Sequence, residues 1–351
     1  MKVKIGIIGA GSISEYHIRA FQKLKDVEVA ALCDLNKTRA SEMALKYGIK
    51  FVYEKAEDML ADNGIDAVTI CVWNKLHADL SIQALQQGKH VLCEKPMALN
   101  AMEAEKMLKA EEESGKLLML GLVRRFDAKT EVAKGIVSGG ELGNIYYAKA
   151  AYLRRDGQPG GWFSDKSKSG GGALIDIGIH SLDLLLYLID AGKVDSVSGK
   201  VFQFPDMMSG IKGVFKYESS DRSKIHNVED MVIATITFKN GIILNLEASW
   251  AQHINNETKY MEIYGELGGL IVDPDIVLYS NNNGFSAKRT FDIDIDEGDP
   301  FQLMFDSEMA HFSDCIINGA ECLSPSSEAL ELMKIIDAIY RSAELGEVVY
   351  L

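Results

Sequence analysis

The chain has 351 residues, 47% of them hydrophobic and 25% charged, and its 37 Lys and Arg against 51 Asp and Glu give a formal net charge of -14. That length exceeds what one ordinary core holds, so two domains are the starting expectation. An acidic balance excludes nucleic acid and anionic membrane as expected partners, since both select basic surfaces, while a helix N-terminus can still bind a phosphate locally.

From Met1 the chain runs straight into a strand-like segment with no long apolar stretch, so no signal peptide is expected. Cys33, Cys71, Cys93, Cys315 and Cys322 form no CxxC motif and no even disulfide framework. A reducing cytoplasm is the expected setting, and no metal site is read. Up to residue 121, apolar β-branched runs at 3–8, 27–32, 67–72, 90–92 and 117–120 alternate with helical periodicity at 13–24, 37–47, 76–87 and 101–113. Strand–helix alternation with strands apolar throughout predicts a parallel, doubly wound sheet covered by helices on both faces.

Beyond this the pattern changes. Longer strands are expected at 145–153, 194–204, 228–238, 242–250 and 259–264, with helices at 302–317 and 327–345. Asn240-Gly241 predicts a two-residue type I′ hairpin. The expected fold class is therefore α/β: an N-terminal doubly wound parallel sheet over 1–122, then an α+β domain over 123–351 with a large, mostly antiparallel open sheet. Long Gly/Ser-rich loops at 154–172 and 205–227 are of a length that usually carries function or motion.

Gly9-Ala10-Gly11-Ser12-Ile13-Ser14 follows a strand and opens a helix. In a dinucleotide fingerprint the first glycine permits the turn, the second lets backbone approach the pyrophosphate, and the helix N-terminus supplies N–H groups. Ser14 replaces the third glycine. Asp34 closes the next strand, where a carboxylate binds an adenosine ribose and disfavours a 2′-phosphate; Lys37 and Arg39 nearby leave NADP possible beside NAD. Asp34 or Asn36 capping the following helix is the alternative. Trp73, Asn74 and His77 end one later strand and Glu94-Lys95-Pro96 another, on the rim where such sheets bind ligands.

In the second domain, Gly170-Gly171-Gly172 precedes an apolar helix in which Asp176, His180 and Asp183 recur at i, i+4, i+7. One stripe of ionisable groups on a buried helix demands partners or a ligand, and the charges exclude a membrane span. His180 is the natural general acid or base. Arg155 and Trp162 precede this helix and suit a sugar ring; His253 is a weaker candidate.

In this order and spacing, these motifs, with Gly88-Lys89-His90-Val91, Arg125-Phe126 and 140–145, resemble the Gfo/Idh/MocA family of sugar and cyclitol oxidoreductases. Trp73 departs from it, standing where the family often has proline. The resemblance implies a Rossmann domain, a C-terminal sheet that mediates homodimers or homotetramers, and hydride transfer between nicotinamide and a secondary alcohol of a sugar, anhydrosugar or cyclitol. It implies a catalytic set of Lys95, Asp176 and His180, and cofactor contacts from Gly9, Gly11, Ser12, Ile13, Asp34, Arg39, Trp73, Asn74, His77, Glu94 and Lys95. Substrate contacts would come from Lys95, Arg125, Arg155, Trp162, Asp176 and His180. The competing readings are an NAD-dependent glycoside hydrolase of related fold and a non-catalytic sensor.

Overall fold

The computed structural model describes residues 2–155, 157–204, 219, 221, 223–293 and 297–351. It divides into two compact units, Met1–Asp127 with Asp296–Met333, and Ala128–Ile295 with Lys334–Leu351.

In the first unit, β1 (Val3–Ile8), β2 (Val27–Cys33), β3 (Phe51–Tyr53), β4 (Ala67–Ile70), β5 (His90–Glu94) and β6 (Leu118–Gly121) form one sheet in the order β3-β2-β1-β4-β5-β6. Every pairing is parallel. The connecting helices are α1 (Ser12–Gln22), α2 (Lys37–Tyr47), α3 (Ala56–Leu60), α4 (His77–Gln86) and α5 (Ala101–Ser114). Asn36 caps α2, its side chain accepting from Arg39 N at 3.1 Å. The expected division at 122/123 differs from what the packing shows. The helix α9 (Pro300–Asn318) belongs to this first unit: Phe305, Met309 and Phe312 join Ile18 and Phe21 of α1 in one buried cluster. Periodicity reveals that such a helix has an apolar face, not which surface that face covers.

The second unit contains α6 (Ala128–Ser138), β7 (Ile145–Leu153), α7 (Lys166–Ser169), α8 (Ile179–Ile189), β8 (Val194–Phe202), β9 (Met231–Phe238), β10 (Ile243–Ser249), β11 (Thr258–Gly265), β12 (Gly268–Asp273), β13 (Val277–Asn282), β14 (Phe285–Thr290) and β15 (Val349–Tyr350). Its sheet order is β14-β13-β12-β11-β7-β10-β9-β8-β15, antiparallel except for β10 on β7. The unit boundary falls inside α10 (Ser326–Leu345). Strands alternate as a half-covered sheet requires: Val232, Ala234, Ile236, Leu244, Leu246 and Ala248 are buried, while Ile233 and Ile243 are exposed.

The β9–β10 hairpin is not the expected type I′ turn. Phe238 and Ile242 pair across Lys239-Asn240-Gly241, and only Gly241 has positive φ, +91°. This is the three-residue loop in which a glycine closes a bulge. The 205–227 loop lies mostly outside the described residues. The stretch Lys166–Ile189 is apolar enough to span a membrane by length and composition, but 78% of its most apolar window is buried inside the protein.

Candidate functional site

At the end of β1 the chain turns at Gly9, whose φ is +102° and where a Cβ would lie 2.2 Å from Cys71 O. Gly11 faces open space and starts α1 with no side-chain cap among the described residues. The helix therefore presents its first amides, those of Ser12 and Ile13, and the positive end of its dipole. Ser14 is fully buried, and its hydroxyl is satisfied by Gly11 O at 2.6 Å, which lets a serine stand where glycine is usual. Beside this turn lies a cavity of about 290 Å³ lined in part by Ala10, Gly11, Ser12, Arg39 and Met43.

The Asp34 carboxylate sits at the mouth of β2. It accepts from Ala10 N at 2.8 Å, Asn36 N at 2.7 Å and Arg39 Nη2 at 2.6 Å. Asp34 thus ties the glycine turn to the start of α2, and Asn36 does the capping. Open glycine, uncapped helix and anchored carboxylate fit the pyrophosphate and ribose of a dinucleotide.

Two further strand ends are stitched together by His77. Its Nδ1 lies 2.7 Å from Pro96 O and its Nε2 3.1 Å from Val72 O, with the ring fully buried. Burial pushes its pKa down against both carbonyls. With one N–H on the neutral ring, His77 can donate to only one of these two carbonyls at a time. Asn74 is buried and Trp73 is 41% exposed, starting a short 3-10 turn. Lys95 is half-buried beside the cis Lys95–Pro96 bond. Arg125, expected to contact substrate, is buried; Nη1 donates to Leu323 O at 2.8 Å and pairs with Glu328, a packing role within this unit.

Sequence reasoning missed what lies beneath Glu94. Its Oε1 meets His17 Nε2 at 2.9 Å and its Oε2 accepts from Lys95 N at 3.3 Å. His17 is fully buried; burial alone lowers its pKa, but Cys71 and the Glu94 carboxylate outweigh that and raise it to about 10. Glu308 of α9 is also fully buried, and neither carboxylate oxygen finds a hydrogen-bond partner among the described residues. Burial, then the Glu94 charge, raises its pKa well above the ordinary range. His17 and Glu94 are 77 residues apart, so no local spacing announces the pair.

In the second unit the expected α-helical stripe begins in a π turn, Leu174–Gly178, before α8. Such turns are frequent at functional sites. Asp176 is half-buried and accepts from the buried Trp250 Nε1 at 2.9 Å; His180 is half-buried and Asp183 buried. Glu229, absent from the expected residues, organises the start of this segment. It accepts from Gly172 N at 2.9 Å, Leu174 N at 3.0 Å and Tyr340 Oη at 2.9 Å, while burial raises its pKa. The glycine run exists for this approach: a Cβ on Gly172 would lie 1.9 Å from Glu229 O, and one on Gly171 2.0 Å from Tyr340 Oη. Gly172→Ala is expected to cost at least about 2 kcal/mol, the scale of overpacking a tight interior, measured by urea unfolding; an unchanged midpoint would refute this account of the glycines. Arg155 donates to Asn255 O at 2.7 Å, Trp162 stacks on Phe163 at 4.0 Å, and His253 is exposed.

A parallel sheet ending in such a cradle defines a dinucleotide-binding protein. Residues 3–122 match the family described as "Oxidoreductase family, NAD-binding Rossmann fold", and residues 130–271 match "GFO/IDH/MocA C-terminal domain". The chain is 31% identical to D-glucoside 3-dehydrogenase of Escherichia coli (strain K12), covering 98% of this chain and 96% of that protein. It is 28% identical to scyllo-inositol 2-dehydrogenase (NAD(+)) of Bacillus subtilis (strain 168), covering 91% and 87%. The solved structure of levoglucosan dehydrogenase with NADH and levoglucosan superposes with a TM-score of 0.88 at 23% identity, covering 100% and 99%, a likeness of fold. The chain belongs to the Gfo/Idh/MocA oxidoreductase family and is an NAD-binding dehydrogenase.

Proposed function

We propose that the enzyme oxidises a secondary alcohol of a sugar, anhydrosugar or cyclitol, or runs the reverse reduction, with Lys95, Asp176 and His180 as its polar machinery. The supporting observation is the Asp176 carboxylate, fixed by buried Trp250 at 2.9 Å, four residues before a half-buried histidine in an NAD-binding chain. When bound, NAD supplies the hydride acceptor at nicotinamide C4. His180 takes the hydroxyl proton as general base, histidine being the side chain most often used in that role. The Lys95 ammonium donates to the substrate oxygen and stabilises negative charge there as the proton leaves. Asp176 orients His180 or holds a neighbouring hydroxyl, and Trp162 offers an aromatic face to a ring.

The relatives' named substrates, a glucoside and an inositol, support a polyol class. The experiment is a screen of glucosides, aldoses, anhydrosugars and cyclitols for NADH formation by the purified full chain. NADH formation with a polyol is the expected result; aglycone release without net NADH would instead mark a glycoside hydrolase, and binding without turnover a sensor. Lys95→Ala is expected to spare NAD affinity, followed by fluorescence titration, while lowering turnover. Loss of NAD binding with unchanged turnover at saturation would overturn its role.

The open face of the second-unit sheet supports a second copy of the chain as partner. It exposes Ile233 and Ile243 beside the Tyr147–Tyr264 stack and the Lys149–Glu262 pair at 3.2 Å, the mixture of apolar and satisfied polar groups typical of interfaces.

A further inference from the structure

Away from the nucleotide cradle, three soft donors converge where α9 ends. A ring nitrogen of His311 and the sulfurs of Cys315 and Cys322 all lie within 4.8 Å of one another, and each residue is half-buried, so solvent reaches them. His311 and Cys315 stand one helical turn apart; the loop after α9 brings Cys322 back. The Cys315 Sγ–His311 Nε2 separation is 3.4 Å. A tetrahedral zinc with bonds of about 2.3 Å to sulfur and about 2.0 Å to nitrogen sets such donors roughly 3.6 Å apart.

The surroundings suit a ligand cluster. Leu323 N donates to His311 Nε2 at 3.0 Å, so this nitrogen already presents a lone pair rather than a proton. Phe126 packs against the imidazole at 5.4 Å and fixes its plane. The Ser324 amide lies within hydrogen-bond reach of the Cys322 sulfur, the outer contact that steadies a coordinating thiolate. Two thiols with one imidazole select zinc-class ions over magnesium or calcium, which take oxygen.

We propose that His311, Cys315 and Cys322 form a zinc-class cation site with three protein ligands and a fourth position open to water. Binding releases both thiol protons, and Leu323 N turns from the imidazole toward a thiolate. The ion pins the end of α9 to the segment whose Ser324 pairs with Leu120 in both directions, at 3.0 and 2.8 Å.

The test uses chelator-stripped, reduced full-length protein titrated with Co²⁺ under argon, then with Zn²⁺. Expected are one Co²⁺ per chain, a thiolate-to-cobalt charge-transfer band, four-coordinate visible bands, and their loss on adding Zn²⁺. Cys322→Ser and Cys315→Ser should each weaken binding at least about tenfold and diminish that band. Circular dichroism and NAD binding report that the variants are folded. Zn²⁺ should also raise the wild-type melting temperature but not that of the double variant. Absence of the charge-transfer band in reduced wild type, its persistence in the double variant, or an all-oxygen octahedral spectrum would overturn the site. So would a thiol titration showing that Cys315 and Cys322 merely oxidise to a disulfide, with no Co²⁺ bound when reduced.

Discussion

Replacing His180 with alanine should leave NAD binding intact and lower turnover by roughly 10²–10⁴-fold, the usual contribution of a positioned acid–base group. The residue sits one turn beyond Asp176, two residues past the end of the π segment, and that carboxylate is held by the buried Trp250. Under the proposed mechanism, a carboxylate preset in this way would hold the general base in its working orientation. The check is single-turnover kinetics beside fluorescence titration of NAD. Equal loss in both would indicate structural damage, and unchanged turnover would remove His180 from the chemistry. Asp176→Asn should fall between wild type and His180→Ala, since it keeps the Trp250 contact while losing the charge.

Replacing His17 with alanine should cost about 3–5 kcal/mol of stability at neutral pH, because it strands a buried carboxylate, Glu94, beside Glu308. The His17 pKa of about 10 in the folded protein exceeds its ordinary 6.5. Its contribution is therefore full below pH 6.5 and disappears as pH rises through about 10. Glu308 acts in the opposite sense: an acid whose pKa is raised by folding withdraws stability as pH climbs above 4.5. The difference between wild type and His17→Ala should thus shrink toward alkaline pH. Urea unfolding at neutral pH and near pH 10 measures it, with His17→Ala/Glu94→Gln as the companion that leaves no unpaired charge. A neutral-pH cost below about 1 kcal/mol would refute the buried pair.

Strands β1, β2, β4, β5 and β6 of the first unit were legible because buried parallel strands are apolar on both faces, whereas the three-residue β3, with no residue buried, was not read. β12 to β14 were not, since Gly268, Gly269 and the polar run Asn281-Asn282-Asn283 mask any alternation. In the cradle, spacing from the glycines pointed to Asp34, while the question of capping resolved onto Asn36. Local spacing could find Asp176 and His180, which share one segment. It could not find His17 with Glu94, or Glu229 with Gly172, because each pair is created by the fold. His77 is placed by spacing at the strand end, but spacing does not reveal that both ring nitrogens face backbone carbonyls, Pro96 O and Val72 O.

The return of α9 to the first unit bears on how the protein is made. Tyr16 stacks on Phe305 at 5.3 Å and Phe21 meets Phe312 at 6.5 Å, so the covering for that flank of α1 is translated almost three hundred residues after α1 itself. During synthesis the nascent sheet must carry Ile18 and Phe21 uncovered while the whole intervening unit emerges. At about 5–20 residues per second that interval is tens of seconds. The nucleotide-binding half, although encoded first, is thus the half completed late, and its sticky flank is where a chaperone or a self-association error would find this chain.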